Sequence, residues 1–222
     1  MKMVEAKRLS CKTVGHSTDS IGEFIAIIKS HSVDTIIDVR STPYSRYTPQ
    51  FNREDLKKEL ARAQIEYGFL GDSLGARYID PNVLFPDGRV NFKKVRRLPK
   101  FQEGINNVIA SMANGFHVAL MCTEKDPFDC HRFVLISPAL VAKGVLVEHI
   151  IDASKTISQK ELEARLLKNY DGSLSIFAKL ETFQGQEVKT SVKRLDEVYE
   201  LRNKEIAYNG AKKTIFSSVN HE

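Results

Sequence analysis

The fold of this chain is decided by residues 12–39, KTVGHSTDSIGEFIAIIKSHSVDTIIDV. An apolar run at residues 13–15 and a β-branched run at residues 35–39 each predict a short β-strand. Between them, Ser20 and Glu23 have the spacing of a capping box, which predicts the start of a helix. A strand, a helix and a second strand in this order predict parallel strands joined by a right-handed crossover.

The same alternation continues outward to about residue 152. Apolar runs at residues 65–69, 116–121 and 145–150 predict three further strands, and residues 53–63, 100–113 and 130–142 predict helices. Asn52 is positioned to cap the first of these helices, and Pro138 predicts a kink or an early end in the last. We therefore expect an α/β domain over residues 1–152, with a mostly parallel sheet flanked by helices in three layers.

Beyond residue 152 the pattern changes. Residues 153–222 contain no predicted strand, and residues 158–170 and 188–203 have the periodicity of helices rich in Lys and Glu. We expect this part of the chain to form a helical C-terminal extension.

Composition restricts the class of protein. The 222 residues are 42% hydrophobic and 27% charged, which is typical of a globular protein, and no apolar stretch approaches the roughly 20 residues that cross a bilayer. The first residues, MKMVEAKR, lack the apolar core of a secretory signal, so we expect a cytoplasmic protein without a membrane partner. Three cysteines in that reducing compartment are expected to be free thiols.

Positive charge is concentrated in one place. The net charge is only +5, but residues 93–100, from Lys93 to Lys100, carry five positive charges and no acidic residue. Such a run is usually a solvated surface, although a phosphate backbone could also bind to it. A non-catalytic module that binds nucleic acid or another partner through this cluster is therefore an alternative function.

Polar residues follow three of the predicted strands. His16 and Ser17 follow the first, Asp38 and Arg40 flank the end of the second, and Cys122-Thr123-Glu124 follow the central one. In an open parallel sheet, ligands bind outside the carboxyl ends of the strands. We therefore expect these residues to meet at one edge of the sheet.

Several of these residues are suited to binding an anion. Guanidinium groups bind phosphate or carboxylate in a bidentate manner. A helix that begins near Asp129 would also direct free backbone N–H groups at this edge and lower the pKa of Cys130. We expect a phosphate, nucleotide or nucleic-acid fragment as ligand, bound by Arg40, Arg46, Arg132, Ser17 and Arg77.

Other residues at this edge are candidates for catalysis. Cys122 or Glu124 would supply a nucleophile or base, and His16 or His131 would move protons, as in a hydrolase or transferase. Each also has a purely structural interpretation. Cys122 could be a small buried side chain, Asp129 a helix cap, and Glu124 an ion-pair partner of Arg40 or Arg132. A buried ion-pair network that only orders the loops therefore remains a third hypothesis.

Metals and cofactors are not predicted by the motifs. The residues competent to bind a metal are Cys122, Cys130, His131, His16 and Glu124. However, C-x7-C-H is not a zinc-ligand spacing and no second Cys or His pair completes it. The sequence contains no Walker P-loop and no G-x-G-x-x-G fingerprint. We therefore expect neither a metal nor a cofactor.

Taken in order, the motifs resemble the domain of unknown function 488 family. They are Gly15-His16-Ser17, the segment from Asp38 to Arg46, the segment from Tyr67 to Gly75, Cys122 to Pro127, and Cys130-His131-Arg132. The resemblance covers about residues 12–152, and the chain has Leu74-Gly75-Ala76-Arg77 where the family commonly has a Gly-Gly-Arg run.

This resemblance implies a fold and a meeting point but no reaction. The fold would be a three-layered α/β domain. The residues that would meet in one place are His16, Arg40, Arg46, Cys122, Glu124, Cys130, His131 and Arg132. The expected anion binding and catalysis therefore follow from the chemistry of these side chains and not from the family resemblance.

Overall fold

One mixed sheet organises the computed structural model, which describes residues 8–171 and 191–210, with residues 191–193 described by their backbone alone. The strands are β1 (Ser10–Gly15), β2 (Thr35–Asp38), β3 (Glu66–Phe69), β4 (Val118–Cys122), β5 (Leu146–Ile150) and β6 (Thr156–Ser158). Their order is β3-β2-β4-β1-β5-β6, and every neighbouring pair is parallel except β5 and β6. The expected mostly parallel sheet is confirmed.

Helices connect most of the strands. They are α1 (Ile21–Ser30), α2 (Arg53–Arg62), α3 (Gly71–Leu74), α4 (Phe92–Val95), α5 (Pro99–Ala113), α6 (Ser137–Ala142), α7 (Gln159–Asn169) and α8 (Ser191–Ile206). Short 3₁₀ turns occur at Pro49–Phe51, Pro81–Val83 and Pro127–Asp129, and a π-helical turn at Arg132–Ile136 leads directly into α6.

β4 lies at the centre of the sheet and separates β1 from β2. The first two strands run parallel with a helix between them, as expected, but each pairs with β4 and not with the other. All five residues of β4 are buried. For an entirely apolar strand, burial of its side chains is most favourable at a position where helices cover both faces of the sheet.

The two faces of the sheet have separate cores. Alternate residues of β4 point to opposite faces. Val118 and Leu120 belong to a large cluster with α5, α6, α7 and α8. Ala119 and Met121 belong to a smaller cluster with α1 and α2. Helices on both faces of a central sheet give the expected three layers.

Two helix starts illustrate how far local motifs determine structure. Ser20 and Glu23 form a complete capping box at the start of α1, as expected. Asn52 stands at the N-cap position of α2 but makes no capping hydrogen bond. Its Oδ1 instead accepts the backbone N–H of Ser45 at 2.7 Å, so this side chain orders the loop that follows β2.

Pro138 does not end the helix early, since the helix continues to Ala142, but the turn before Pro138 is irregular. The helix that starts at His131 winds as a π-helix from Arg132 to Ile136 and becomes α-helical only afterwards. Pro138 has no N–H to donate to the carbonyl of Val134, four residues earlier. Arg96 Nη1 donates to that carbonyl at 3.0 Å instead, so the acceptor is satisfied from a neighbouring element.

The C-terminal extension is helical, as expected, and it is packed onto the sheet. Leu162 of α7 and Val198 of α8 belong to the larger core cluster. The expectation of no strand after residue 152 is wrong, because β6 pairs antiparallel with β5 across the expected domain boundary. The last predicted helix was expected to begin at residue 188, which lies outside the described residues.

No helix in residues 8–171 or 191–210 has the length and apolarity that would allow it to cross a membrane. The first seven residues, on which the expectation of no secretory signal depends, lie outside the described ranges. Cys11, Cys122 and Cys130 are free thiols, as expected.

Candidate functional site

The ends of β1, β2 and β4 form one edge of the sheet. Gly15 is opposite Cys122, and Asp38 is opposite Met121. The ladder continues beyond the strands, since the His16 N–H donates to the Cys122 carbonyl at 3.0 Å. Residues from three distant parts of the sequence are therefore held side by side at this edge.

Four reactive side chains meet at this edge and form what we call the thiol cluster, namely Cys122, Glu124, Cys130 and His131. Glu124 Oε2 lies 2.9 Å from Cys122 Sγ and 3.0 Å from Cys130 Sγ. His131 Nδ1 lies 3.6 Å from Cys122 Sγ and 3.7 Å from Cys130 Sγ. The potential ligand atoms of the four residues all lie within 4.8 Å of one another.

A glycine and a tight turn allow the cluster to form. A Cβ on Gly15 would lie 1.8 Å from the carbonyl oxygen of Glu124, so only glycine lets that backbone come so close to β1. The 3₁₀ turn Pro127–Asp129, capped by Asp126, then reverses the chain. This reversal brings Cys130 back beside Cys122.

The start of the helix after this turn differs from the sequence-based interpretation. Asp126 accepts the Phe128 N–H at 2.8 Å and caps the turn, whereas Asp129, the expected helix cap, forms an ion pair with Arg202. The N–H groups at the helix start donate within the chain, that of Arg132 to Cys130 Sγ at 3.5 Å and that of Phe133 to the Cys130 carbonyl at 3.1 Å. They support the cysteine and do not point at an external anion.

Arg132, expected to bind the ligand, is fully buried. Its Nε donates to Cys130 Sγ at 3.1 Å, its Nη1 to Thr13 Oγ1 at 3.2 Å and its Nη2 to the Glu124 carbonyl. Arg132 does not line the pocket into which Cys122, Glu124 and His131 open. Its observed role is to support the thiol cluster from beneath.

The two sulfurs of the cluster differ in their affinity for a proton. The hydrogen bond to Cys130, together with burial, raises the pKa of Cys122 well above its usual range. Burial would also raise the pKa of Cys130, but the hydrogen bond from Cys122 and the charge of Arg132 hold it well below the usual range. Cys130 is therefore the more acidic thiol of the pair.

The pKa values of the other two residues of the thiol cluster, Glu124 and His131, are shifted as well. Glu124 is exposed as a residue, yet its carboxyl group lies against both sulfurs, and burial and the charge of Cys130 raise its pKa. Burial alone would lower the pKa of His131, but the negative charge of Cys130 raises it overall. His131 Nε2 lies 3.2 Å from the Val39 carbonyl, which can only accept, so this nitrogen carries a proton.

A buried ion pair lies beside the cluster. Asp38 is fully buried and accepts Nε and Nη2 of Arg40 at 2.9 and 2.7 Å, as well as the Tyr67 hydroxyl at 2.9 Å. His16, stacked on Phe51 at 4.1 Å, accepts from Arg40 Nη1 at 3.1 Å. Burial and the charge of Arg40 lower the pKa of His16 to about 4. His16, expected to move protons, is neutral at neutral pH and positions Arg40.

The thiol cluster opens into a pocket of about 280 Å³. Arg40 and Arg77 contribute its positive side chains, and Cys122, Glu124 and His131 form the adjacent wall. The other lining residues are Ser41, Thr42, Ala76, Phe92, Thr123, Asp129, Ile206 and Tyr208. Of the nine expected site residues, five line this pocket: Arg40, Arg77, Cys122, Glu124 and His131.

The other expected residues lie elsewhere. Arg46 is exposed on the loop after β2 and does not line the pocket. Ser17 is half-buried with a φ of 47°, and its N–H donates to the Thr123 carbonyl at 2.8 Å, so it acts as a turn residue.

One wall of the pocket comes from the C-terminal extension, which the sequence analysis did not include in the site. The carbonyl of Tyr208 accepts the Val90 N–H at 3.0 Å, and Arg77 lies over its ring at 5.6 Å from the centroid. No local motif marks Ile206 or Tyr208, so only the packing of α8 shows their role.

The basic cluster at residues 93–100 is partly used within the molecule. Lys93 pairs with Asp196 at 3.5 Å, and Lys94 Nζ donates to the Leu84 carbonyl at 3.1 Å. Arg96 is half-buried and donates to Val134. Three of the five cations therefore have intramolecular partners.

A buried polar chain connects the thiol cluster to the C-terminal helices. Thr13 Oγ1, which accepts from Arg132, lies 2.8 Å from His149 Nδ1. His149 Nε2 lies 2.9 Å from Gln159 Oε1, and Gln159 in turn donates to the hydroxyl of Tyr199 on α8. β1, β5, α7 and α8 are thus joined by hydrogen bonds as well as by apolar contact.

Comparison with known proteins gives one match. The family model described as Domain of unknown function DUF488 matches residues 20–138, more than half of the chain. No curated protein and no solved structure matches significantly. The matched region contains β2 to β4, the thiol cluster and the π-helical turn. The chain belongs to the family Domain of unknown function DUF488.

Proposed function

We propose that this protein is an enzyme, a hydrolase or transferase, that binds a small phosphorylated molecule in the pocket and acts on it through the thiol cluster. The observation that carries the proposal is that Arg40 and Arg77 line the same pocket as Cys122, Glu124 and His131. Binding groups for an anion and groups that can react with it are thus within reach of one ligand.

The charges around the pocket favour an anion. Four of the five N–H groups of Arg40 are used by Asp38, Phe51 and His16, which leaves one N–H of Nη1 for a ligand. Among the described residues the guanidinium of Arg77 forms no ion pair with a carboxylate and lies over the ring of Tyr208. The acidic groups are occupied, since Asp129 pairs with Arg202 and the Glu124 carboxyl binds both sulfurs. An incoming phosphate would therefore meet positive groups that remain available.

The size of the pocket favours a small ligand. A volume of about 280 Å³ lies just below the roughly 300–1,000 Å³ that is usual for ligand pockets. A mononucleotide or a smaller phosphate ester fits this size. The internal contacts of Lys93 and Arg96 make the basic cluster a weaker candidate for binding long nucleic acid.

The reactive side of the pocket would supply a nucleophile or a base. Cys122 and Glu124 face the pocket. Cys122, whose pKa is raised, would pass its proton to Glu124 Oε2 at 2.9 Å as its sulfur attacks a phosphoryl or adjacent carbon centre. Glu124 could instead activate a water molecule, and His131 can transfer protons. His16, buried and with its pKa lowered to about 4, is a weak proton acceptor, so the contribution we propose for it is to hold Arg40 in place.

Calorimetric titration of phosphate, mononucleotides and single-stranded nucleic acid tests the binding side. Arg77→Ala should weaken binding of the small ligand about tenfold or more, because a charged hydrogen bond contributes about 1.5–3 kcal/mol. Arg46→Ala is the matched control, since Arg46 is exposed but outside the pocket, and it should bind as the wild type does. Equal losses in both variants, or no binding by the wild type, would contradict the proposal.

Activity assays test the reactive side. With a panel of phosphate esters and nucleotides, Cys122→Ala and Glu124→Gln should each lose at least about a hundredfold in rate, the range typical of positioned acid–base groups. Cys11→Ala removes a buried thiol that lies outside the cluster and should retain the rate. An equal loss in the Cys11 variant would assign the effect to folding and refute the catalytic role.

A further inference from the structure

We propose that the thiol cluster is a binding site for one Zn²⁺ ion, with Cys122 Sγ, Cys130 Sγ, His131 Nδ1 and the Glu124 carboxylate as ligands. The proposal concerns the same cluster as the proposed function but does not depend on its substrate. With the ion bound, Cys122 and His131 are ligands and the reactive group would bind at the Glu124 position, while Arg40 and Arg77 keep their role in anion binding. The proposal also departs from the expectation based on spacing, because the fold assembles a ligand set that no local zinc motif contains.

Distances within the cluster match those of a tetrahedral site. Zinc–sulfur and zinc–nitrogen bonds of about 2.3 and 2.05 Å at tetrahedral angles separate sulfur and nitrogen by about 3.6 Å. His131 Nδ1 lies 3.6 Å and 3.7 Å from the two sulfurs. Glu124 Oε2, at 2.9 and 3.0 Å, is about 0.6 Å closer to the sulfurs than such a site requires, so its carboxyl group would have to rotate away from them when the ion binds.

The surroundings of His131 are those of a metal ligand. Nε2 is directed at the Val39 carbonyl at 3.2 Å, which fixes a proton on Nε2 and leaves Nδ1 facing the sulfurs. Histidines that bind metals almost always donate their second ring nitrogen in this way, and the contact holds the ring in the binding orientation. The imidazole is thus oriented before any ion binds.

Arg132 supplies an independent argument based on charge. Its fully buried guanidinium has no carboxylate partner among the described residues, and its contacts are Cys130 Sγ, Thr13 Oγ1 and the Glu124 carbonyl. A guanidinium at such depth requires a negative group beside it, and Cys130 Sγ at 3.1 Å is in that position, so this sulfur is held in the anionic form that a metal ligand needs. Zn²⁺ with two thiolates, one carboxylate and a neutral imidazole has a net charge of about −1, which balances Arg132.

The ligand types select the metal. Two thiolates and an imidazole favour zinc, whereas magnesium and calcium require mainly oxygen ligands. Glu124 is the ligand that can be exchanged, because it alone of the four is exposed as a residue and it lines the pocket. With Cys122, Cys130 and His131 retained as ligands, its position is where a water molecule or a substrate oxygen would bind.

The test uses the full-length chain, stripped of metal under reducing conditions and titrated with Zn²⁺ and Co²⁺. We expect one Zn²⁺ per chain by elemental analysis. Co²⁺ should give the intense visible bands of tetrahedral coordination together with a thiolate charge-transfer band, and Zn²⁺ should displace it. Excess Mg²⁺ should not. Cys122→Ser should weaken Zn²⁺ binding by more than about a hundredfold, because removing even an outer partner of a ligand costs 10–100-fold.

Two further variants keep the result interpretable. Cys11→Ala should still bind one Zn²⁺, since this thiol lies outside the cluster. Glu124→Gln should fold normally, because Glu124 is at the surface, and should weaken binding about tenfold while shifting the Co²⁺ bands. A wild-type chain that binds no Zn²⁺, or a Cys122–Cys130 disulfide in its place, would overturn the proposal. Unchanged Co²⁺ spectra in both the Cys122 and the Glu124 variants would do the same.

Discussion

Acidification should destabilise this protein through His149, a residue remote from the pocket. His149 is fully buried between Thr13 and Gln159. Burial lowers its pKa from 6.5 to about 4, and the charge of Arg132 acts in the same direction. As the pH falls, the unfolded chain binds this proton first. The contribution of His149 to the free energy of unfolding is therefore complete above about pH 6.5. It is lost progressively as the pH falls toward 4.

The size of the effect follows from the difference in pKa. A full shift of about 2.5 units corresponds to about 3.4 kcal/mol, at 1.36 kcal/mol per unit. Between about pH 7 and pH 4.5 the two titration curves give a loss of about 2.4 kcal/mol, because the folded protein begins to bind the proton near pH 4.5. His149 is fully inaccessible to solvent, so no discount for screening applies.

Urea denaturation at both pH values, for the wild type and for His149→Gln, measures this contribution. Glutamine keeps polar atoms near Thr13 and Gln159 but does not titrate. The wild type should lose about 2.4 kcal/mol more than the variant over this range. His16, whose pKa is also about 4, and the carboxylates contribute to both proteins and cancel in the comparison. Equal pH dependence of the two proteins would refute the reasoning.

Three further outcomes are expected. Gly15→Ala should cost at least about 1–3 kcal/mol and raise the alkylation rate of Cys122, since its Cβ would lie 1.8 Å from the Glu124 carbonyl oxygen; an unchanged melting temperature would contradict this. Asp38→Asn should lower the free energy of unfolding in urea by about 3–5 kcal/mol, because it leaves Arg40 charged and buried. Tyr67→Phe, which loses one hydrogen bond to Asp38, should lower it by about 1–2 kcal/mol. Similar losses in the two variants would argue against a dominant ion pair. Tyr208→Ala should weaken calorimetric phosphate-ester binding about tenfold, and Tyr47→Ala, at an exposed ring outside the pocket, should not; the reverse would exclude the C-terminal wall.

Much of the sheet could be predicted because its causes are local. A β-branched run predicted β2, an apolar run predicted β4, and the Ser20–Glu23 capping box predicted the start of α1. β6 was missed because three residues, Thr156–Ser158, are too few to show a period. The position of β4 between β1 and β2 could not be read either, since adjacency depends on which strand is most completely covered.

The site was harder to predict, because the roles of its side chains depend on which of them are buried in the folded protein. Arg132 has the sequence context of an anion-binding residue, but its side chain turns inward to Cys130. His16 follows a strand end like a catalytic base, yet stacking on Phe51 buries it. The distances between Cys122, Glu124 and His131 come from a turn and a close approach at Gly15, neither of which a residue spacing reveals.

The contribution of Ile206 and Tyr208 to the pocket means that its two sides can vary separately in evolution. The family match ends at residue 138, so it includes the reactive groups of the pocket and does not include the opposing wall at Ile206 and Tyr208. A protein with the same cysteines, histidine and glutamate but another C-terminal segment would keep its chemistry and accept other molecules. Grafting residues 153–222 between homologous chains would then transfer ligand preference as a unit.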